Sequence, residues 1–433
     1  MKFSAKKTPT QKTAINRFFT LLFKWSLLAL LIGCAIGTSI AFFLYALSAV
    51  TAYRFGHSNL VYALPFAGLG IGLLYYYLGR TVEGGNQLLV KEYHSPTAVV
   101  PLKLVPLILI GTLTTHLFGG SAGREGTAVQ MGGAIADQFS RLFSLQSWQR
   151  KLLLSMGISA GFAAVFGTPW AGTVFALEIL RVGQLRYQSF IPCLLAAFAA
   201  HYSCLWWSVE HSAYHIAALP PISLNTLVLV LGCGAVFGLA ALFFRKLTAF
   251  WSGLFKKYLR YPPLRPFVGG LLFVLLYLYI GDTAYLGLGL PTILNAFEQA
   301  QGMEVFVLKI VFTSITLGAG YKGGEVTPLF FIGAALGSFL STLLPLPISL
   351  LTALGFVAVF SGATQAPWAC TLMGLELFGL EGGLFLLLAC WTAALFSGRQ
   401  NIYNSPPHPQ LSLPYIKLAH WWSNRAFNRS SNR

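Results

Sequence analysis

Apolar stretches follow one another from Trp25 to Phe396, and the charges between them are few. Charged residues make up 9% of the chain and hydrophobic ones 56%. A soluble chain would carry roughly a quarter charged residues, so the composition excludes an ordinary soluble domain. The stretches that read as membrane helices are Trp25–Val50, Leu60–Leu78, Leu102–Leu117, Leu152–Phe166, Ser189–Trp207, Leu224–Phe244, Phe267–Ile280, Val305–Leu317, Phe330–Leu344, Leu350–Phe360 and Leu384–Phe396. Several are shorter than the ~20 residues of a straight span or are rich in Gly and Pro. The pattern therefore predicts an all-α membrane protein with tilted and broken helices. No soluble domain of ordinary size is visible.

The formal net charge is +17. In a soluble chain this would suggest nucleic acid, but here it does not. The basic residues gather at the tails (Lys2, Lys6, Lys7, Lys12, Arg17; Arg425, Arg429, Arg433) and in short loops around Arg141, Arg150, Lys151, Arg181, Arg186, Lys256, Lys257, Arg260 and Arg265. The positive-inside rule explains this spread and predicts both termini in the cytoplasm. Attraction for anions is a second reading of the same charge. Lys2–Lys12 looks like the head of a signal peptide, but the long stretch after it reads as a retained first helix. The six cysteines show no metal-ligand spacing and read as small hydrophobes.

The chain also repeats itself. Gly123-Arg-Glu-Gly-Thr127 returns as Gly323-Gly-Glu-Val-Thr327. Pro169-Trp170-Ala171-x-Thr173 returns as Pro367-Trp368-Ala369-x-Thr371, and each copy is followed by a Leu-Glu pair, Leu177-Glu178 and Leu375-Glu376. Ala-Val-Phe runs at 164–166 and 358–360 precede both, and Glu83–Leu88 has a looser counterpart in Leu286–Pro291. Two halves interrupted at matching positions are the mark of a transporter built from repeats, with its ligand near the midplane.

Glu125 lies between apolar or small residues, at bilayer depth, where a carboxylate is costly and marks a functional position by default. Three roles are open to it: proton carrier, occupant of an anion site in place of the anion, or partner of Arg124. Adjacent helix residues do not face each other, which weighs against the last. A carboxyl that alternates between charged and neutral forms can leave and re-enter an anion site, coupling the anion to a proton. Glu325 carries the same argument, softened by Lys322 nearby. The glycines around 123–126 and 320–324 let helix-start amides approach one small anion, and Pro328 favours a helix start there. Close packing of small residues is the structural alternative. Thr127, Thr327 and Tyr403 offer hydroxyls, although a lone tail tyrosine reads first as an interfacial anchor. Glu178 and Glu376 read as structural carboxylates at helix ends, and His116 as a packed polar residue.

Over most of its length, from about Trp25 to Tyr403, the chain resembles the CLC family of chloride channels and proton-coupled anion exchangers. Gly123-Arg124-Glu125-Gly126 followed by Val129-Gln130 matches the family's gating-glutamate motif. The resemblance implies a CLC-like fold of two inverted repeats, with Glu125 as external gate and proton carrier and Tyr403 as the pore tyrosine. It also implies a homodimer. Departures narrow the likeness. Thr127 stands where chloride-type members have proline, and Asn86 stands where they put a coordinating serine. Gly324-Glu325-Val326-Thr327-Pro328 replaces their Gly-x-Phe-x-Pro. Ile179 replaces a second glutamate that many exchangers use for protons. These departures look like the fluoride-exporting subgroup, in which the Glu-Val-Thr residues line the path.

The expectation is a fluoride/proton antiporter, not an enzyme, with no cofactor or metal and no nucleic-acid partner. It would lie in a bacterial inner (plasma) membrane. The expected pathway comprises Asn86, Gly123, Arg124, Gly126, Thr127, Gly324, Glu325, Val326, Thr327 and Tyr403, with Glu125 as gate. The expected domains are a cytoplasmic tail over 1–24, a transport domain over 25–403 (halves near 25–220 and 221–403) and a tail over 404–433. On the same scaffold the alternative is a chloride/proton exchanger or a passive chloride channel. A membrane-embedded enzyme is the rival of another class, but no His-Glu-x-x-His, Gly-x-Ser-x-Gly or acidic metal cluster supports it.

Overall fold

A computed structural model describes residues 11–180, 189–211 and 214–405. The basic residues Lys2, Lys6, Lys7, Arg181, Arg186, Arg425, Arg429 and Arg433 lie outside the described residues, as does the tail from 406 on. The first half holds α1 (Gln11–Gly56), α2 (Leu64–Tyr77), α3 (Asn86–His94), α4 (Leu104–Leu117), α5 (Glu125–Leu142), α6 (Ser147–Phe166), α7 (Pro169–Ile179) and α8 (Phe190–Trp206). The second holds α9 (Leu224–Tyr258), α10 (Leu264–Ile280), α11 (Leu290–Ala296), α12 (Met303–Ala319), α13 (Val326–Leu340), α14 (Ile348–Thr364), α15 (Pro367–Phe378) and α16 (Gly383–Phe396).

Among the described residues, three helical spans are long and apolar enough to cross a membrane alone: Phe23–Gly56, Ser58–Tyr77 and Leu224–Tyr258. The other helices are mostly short, as the Gly- and Pro-rich pattern predicts. The first helix starts at Gln11, well before Trp25, so it reaches into the region expected to be tail. Five helices were not among the apolar stretches: α3, α5, α7, α11 and α15. All five begin at or within the repeated motifs.

The helix starts follow local chemistry. Pro169 and Pro367 open α7 and α15, where a missing N–H costs nothing. Pro328 does not open α13, which begins at Val326 with Glu325 as its cap, so the proline sits in the third position.

The two halves pack by the same device. A Cβ at Gly157 of α6 would stand 2.5 Å from the Gly132 carbonyl of α5, and Gly355 of α14 meets Gly333 of α13 in the same way. With no side chain between them, these backbones touch, which is how helices gain contact where lipid supplies no hydrophobic drive. The halves are also stitched reciprocally at α7 and α15. Glu376 of α15 accepts the Trp170 and Ala171 amides at the start of α7, at 3.0 and 2.7 Å. Glu178 of α7 accepts the Trp368 and Ala369 amides at the start of α15, at 3.3 and 2.9 Å. Each carboxylate thus meets the positive end of the other half's helix. Phe162, Phe175 and Phe360 stack between the halves, with the Phe162 and Phe175 centroids 4.3 Å apart.

The loops divide into two faces. One carries Arg141, Lys256, Lys257 and Arg260. The other is formed by 207–211, 214–223, 281–302, 341–347 and 379–382, and these described residues include no Lys or Arg. Arg150 is not a free loop charge: it lies in α6, buried, paired with Asp137 at 2.7 Å and Glu92 at 3.1 Å. A buried guanidinium needs such partners, and these tie α6 to α5 and α3. Of the cysteines, Cys34 is exposed and the other five are buried.

Candidate anion and proton pathway

The two Gly-x-Glu-x-Thr loops cross near the centre of the protein. Gly123 N donates to Gly324 O at 2.5 Å, and Gly324 N donates to Gly123 O at 2.7 Å. This antiparallel bridge brings the starts of α5 and α13 together. Glycine is required at the crossing: a Cβ at Gly324 would lie 2.6 Å from Gly126 N, and one at Gly126 would lie 3.0 Å from Gly324 Cα.

Glu125, the first residue of α5, is 1% exposed. Its carboxylate reaches across the crossing to the other half. Oε2 accepts the Thr327 amide at 3.0 Å, and the Thr327 hydroxyl donates to Oε1. Oε2 also accepts the Arg124 amide at 3.1 Å. The carboxylate therefore occupies the N-terminus of α13, a position that favours any small anion. Arg124 does approach Glu125, with Nε 3.6 Å from Oε1, contrary to the helix-neighbour argument. Arg124 caps α5 from outside the helix, so the spacing rule for residues within a helix does not apply.

Two cavities adjoin the crossing loops: Glu125 and Thr327 line one, Gly323 and Glu325 the other. The larger, about 740 Å³, opens on the basic face and is lined by Asn86, Gln130, Lys322, Glu325 and Tyr403 among others. Glu325 hydrogen-bonds the Tyr403 phenol. Tyr403 is buried against Phe175, ring centroids 6.4 Å apart, and is not an interfacial anchor. Asn86 opens α3; its amide nitrogen faces Gly126, and its buried oxygen has no protein partner. Four basic side chains, Arg245, Lys246, Lys256 and Lys322, share this vestibule with the acids Glu83 and Glu325. The balance favours anions.

The smaller cavity, about 20 Å³, lies against the Glu125 plug itself and is lined by Arg124, Glu125, His211, Tyr214 and Thr327 with apolar neighbours. Its size admits about one water or one small ion.

The repeat is not symmetric in its chemistry. The Thr127 hydroxyl is spent on Thr112 of α4, at 2.7 Å, and Thr127 lines neither cavity. Val326 is buried beside Thr327 at the start of α13. His116 is buried with Nε2 3.4 Å from Gly123 O, behind the crossing. Lys309 is fully buried and donates to Tyr285 O and Gly287 O at 3.2 and 2.9 Å. Sequence reasoning passed over Lys309 and His211. A lysine inside an apolar helix was a usable signal, whereas a histidine in an irregular loop was not.

The arrangement has counterparts among known proteins. A family profile described as voltage gated chloride channel matches residues 67–398. A chloride/fluoride channel protein of Pseudomonas syringae pv. tomato is 43% identical over 422 residues, covering 94% of this chain and 93% of the relative. An H(+)/Cl(-) exchange transporter of Vibrio cholerae is 28% identical over 333 residues, covering 71% of this chain and 70% of the relative. The crystal structure of a CLC-type fluoride/proton antiporter matches at TM-score 0.87 and 34% identity, covering 89% of this chain and 98% of that one. A slow cyanobacterial Cl-/H+ antiporter shares the fold at TM-score 0.75 and 19% identity, over 94% of this chain and 99% of its own.

Proposed function

The chain belongs to the voltage-gated chloride channel (CLC) family, and on that premise we propose that it exports fluoride from the cytoplasm in exchange for protons. The observation that carries this reading is the Glu125 carboxylate, seated on the Thr327 amide and hydroxyl at one cavity, with Glu325 of the same crossing lining a second. A charged carboxylate holds the donors that an anion would take. Once protonated, it holds them less strongly and can swing away, and the anion replaces it. One proton then moves with Glu125 as the anion moves past it.

Fluoride suits this site on two counts. It is the smallest halide and gains most from short contacts to hydroxyl and amide donors. The space beyond the plug admits one small ion and little more. Similarity to the Pseudomonas protein and to the fluoride/proton antiporter supports the same choice.

In this reading the basic face is cytoplasmic, with both chain ends on that side of a bacterial inner membrane, and the junction between the halves lies on the outer side. Fluoride enters the vestibule past Asn86, Glu325 and Tyr403, and reaches Val326 and Thr327 at the start of α13. It leaves past Arg124. Gly123, Gly126 and Gly324 let the two loops cross closely, the Gly123 and Gly324 amides each taken by the other's carbonyl, so that the starts of α5 and α13 meet at the path. Thr127 supports α4 and does not touch the anion. We assign the chain no enzymatic step. We also propose a homodimer: Trp170 and Trp368, at the starts of the paired helices α7 and α15, are about half exposed and offer apolar surface to a second copy.

Purified protein in liposomes tests the reading. With fluoride or chloride loaded inside, anion efflux and internal pH are followed together. Fluoride efflux with proton uptake, well above the chloride rate, is expected. Equal rates for the two halides reject the fluoride assignment, and anion efflux without proton movement favours a passive channel.

A further inference from the structure

The cavity outside the plug contains one imidazole, and the exchange cycle above gives it no task. It belongs to His211, in the irregular segment between α8 and α9 on the face that lacks Lys and Arg. We propose that His211 is the outer proton-exchange residue, passing protons between the outside solution and the Glu125 carboxylate. The proposal rests on the fluoride/proton exchange reading.

The ring is held in one orientation. His211 Nε2 lies 2.9 Å from Ala164 O. A carbonyl only accepts, so Nε2 carries the hydrogen and Nδ1 is left to bind and release a proton. The ring lies flat on Gly167, the left-handed cap of α6 at φ 76°. A Cβ there would stand 2.9 Å from His211 Cγ and 3.1 Å from Nδ1, so only glycine both ends α6 this way and leaves room for the ring. The His201 ring of α8 follows at 5.8 Å, and its Nδ1 is buried without a protein partner. Two imidazoles thus lead toward the one-ion cavity that Glu125 lines.

The groups facing His211 are few. Arg124 and Glu125 face it from the start of α5, His201 from α8, and Tyr214 from its own segment, where Glu210 is its chain neighbour. The elements α6, α11, α13, α14 and α15 contribute Phe166, Leu290, Thr327, Phe356 and Leu377 to the cavity, none of them charged. Burial lowers the pKa of His211; the Ala164 carbonyl opposes this and the Arg124 charge adds to it. The imidazolium is therefore a ready donor. In the step itself the N–H bond at Nδ1 breaks and an O–H bond forms on Glu125, directly or across one water, leaving both side chains neutral. The imidazole then takes its next proton from outside.

The test uses the whole protein in liposomes loaded with fluoride, with inside pH fixed and outside pH stepped from about 8 to about 5.5, across the titration range of histidine. Unsubstituted protein should take up protons and speed up as the outside is acidified. His211→Gln, which can still donate to Ala164 O, should keep its proton-to-fluoride ratio. It should run at least about tenfold slower near neutral outside pH, on the scale of a lost proton-transfer group. Its outside-pH profile should change shape. His211→Ala should recover rate when imidazole is added outside, a response that a purely structural histidine would not give. Should His211→Ala not fold, His211→Gln carries the test. A His211→Gln profile that superposes on the unsubstituted one overturns the proposal and leaves the exchange reading standing. Fluoride efflux without proton uptake in the unsubstituted protein overturns the exchange reading, and this proposal with it.

Discussion

Glu125 and Thr327 come from different halves of the chain, yet one carboxylate accepts both the amide and the hydroxyl of that threonine. The residue that opens α5 therefore closes α13. The two repeats meet in a single carboxylate that must move before an anion can pass.

Thr327 and Thr127 hold matching places in the repeat, and their substitution should separate them. Thr327→Val keeps the amide and removes the hydroxyl. Loss of a hydrogen bond to a charged group is worth about 1.5–3 kcal/mol, so fluoride turnover should fall roughly ten- to a hundredfold. Thr127→Val breaks only the bond to Thr112, and turnover should stay within about threefold, with stability lower by about 1 kcal/mol. Flux assays on both variants check this. Equal loss of turnover would place both threonines on the path.

Gly324→Ala should abolish transport, because its Cβ would press to 2.6 Å from Gly126 N, a backbone atom that cannot yield cheaply. Gly232→Ala is the control. It lies in α9 with open space around it, and the change should be neutral or mildly stabilising by up to about 1 kcal/mol. Elution profile and fluoride flux of the two proteins are the measurements. Normal flux in Gly324→Ala would mean that the crossing is looser than described.

Glu376→Ala strips the cap from α7 and leaves the Trp170 and Ala171 amides without it. A stability loss of about 1–2 kcal/mol is expected, the scale of a lost helix cap. The proton-to-fluoride ratio should not change. Thermal unfolding in detergent and the liposome assay check the two parts. A changed ratio with unchanged stability would move Glu376 from the scaffold to the proton route.

Much of this architecture was legible in the residues. The Gly-x-Glu-x-Thr and Pro-Trp-Ala-x-Thr repeats located the broken helices, and Glu125 stood out because a carboxylate is rare at that depth. Pairing geometry was not legible. Nothing in the order of residues says that Glu376 meets α7 rather than its own helix, or that the Thr127 hydroxyl is taken by Thr112 while that of Thr327 is free for the carboxylate. The rule that neighbouring helix residues do not face each other fails for Arg124 and Glu125 because Arg124 lies just outside the helix. Arg150 read as a loop charge because its partners, Glu92 and Asp137, are 58 and 13 residues away. Long-range partners of this kind are set by packing, which local pattern does not carry.

The central claim is that the Glu125 side chain carries the proton. The most direct measurement records fluoride efflux and proton uptake simultaneously in liposomes containing Glu125→Gln, a substitution that keeps the shape and removes the titratable group. Fluoride movement that is either blocked or free of any accompanying proton is the predicted result. Proton uptake in normal proportion to fluoride in that variant would contradict the account.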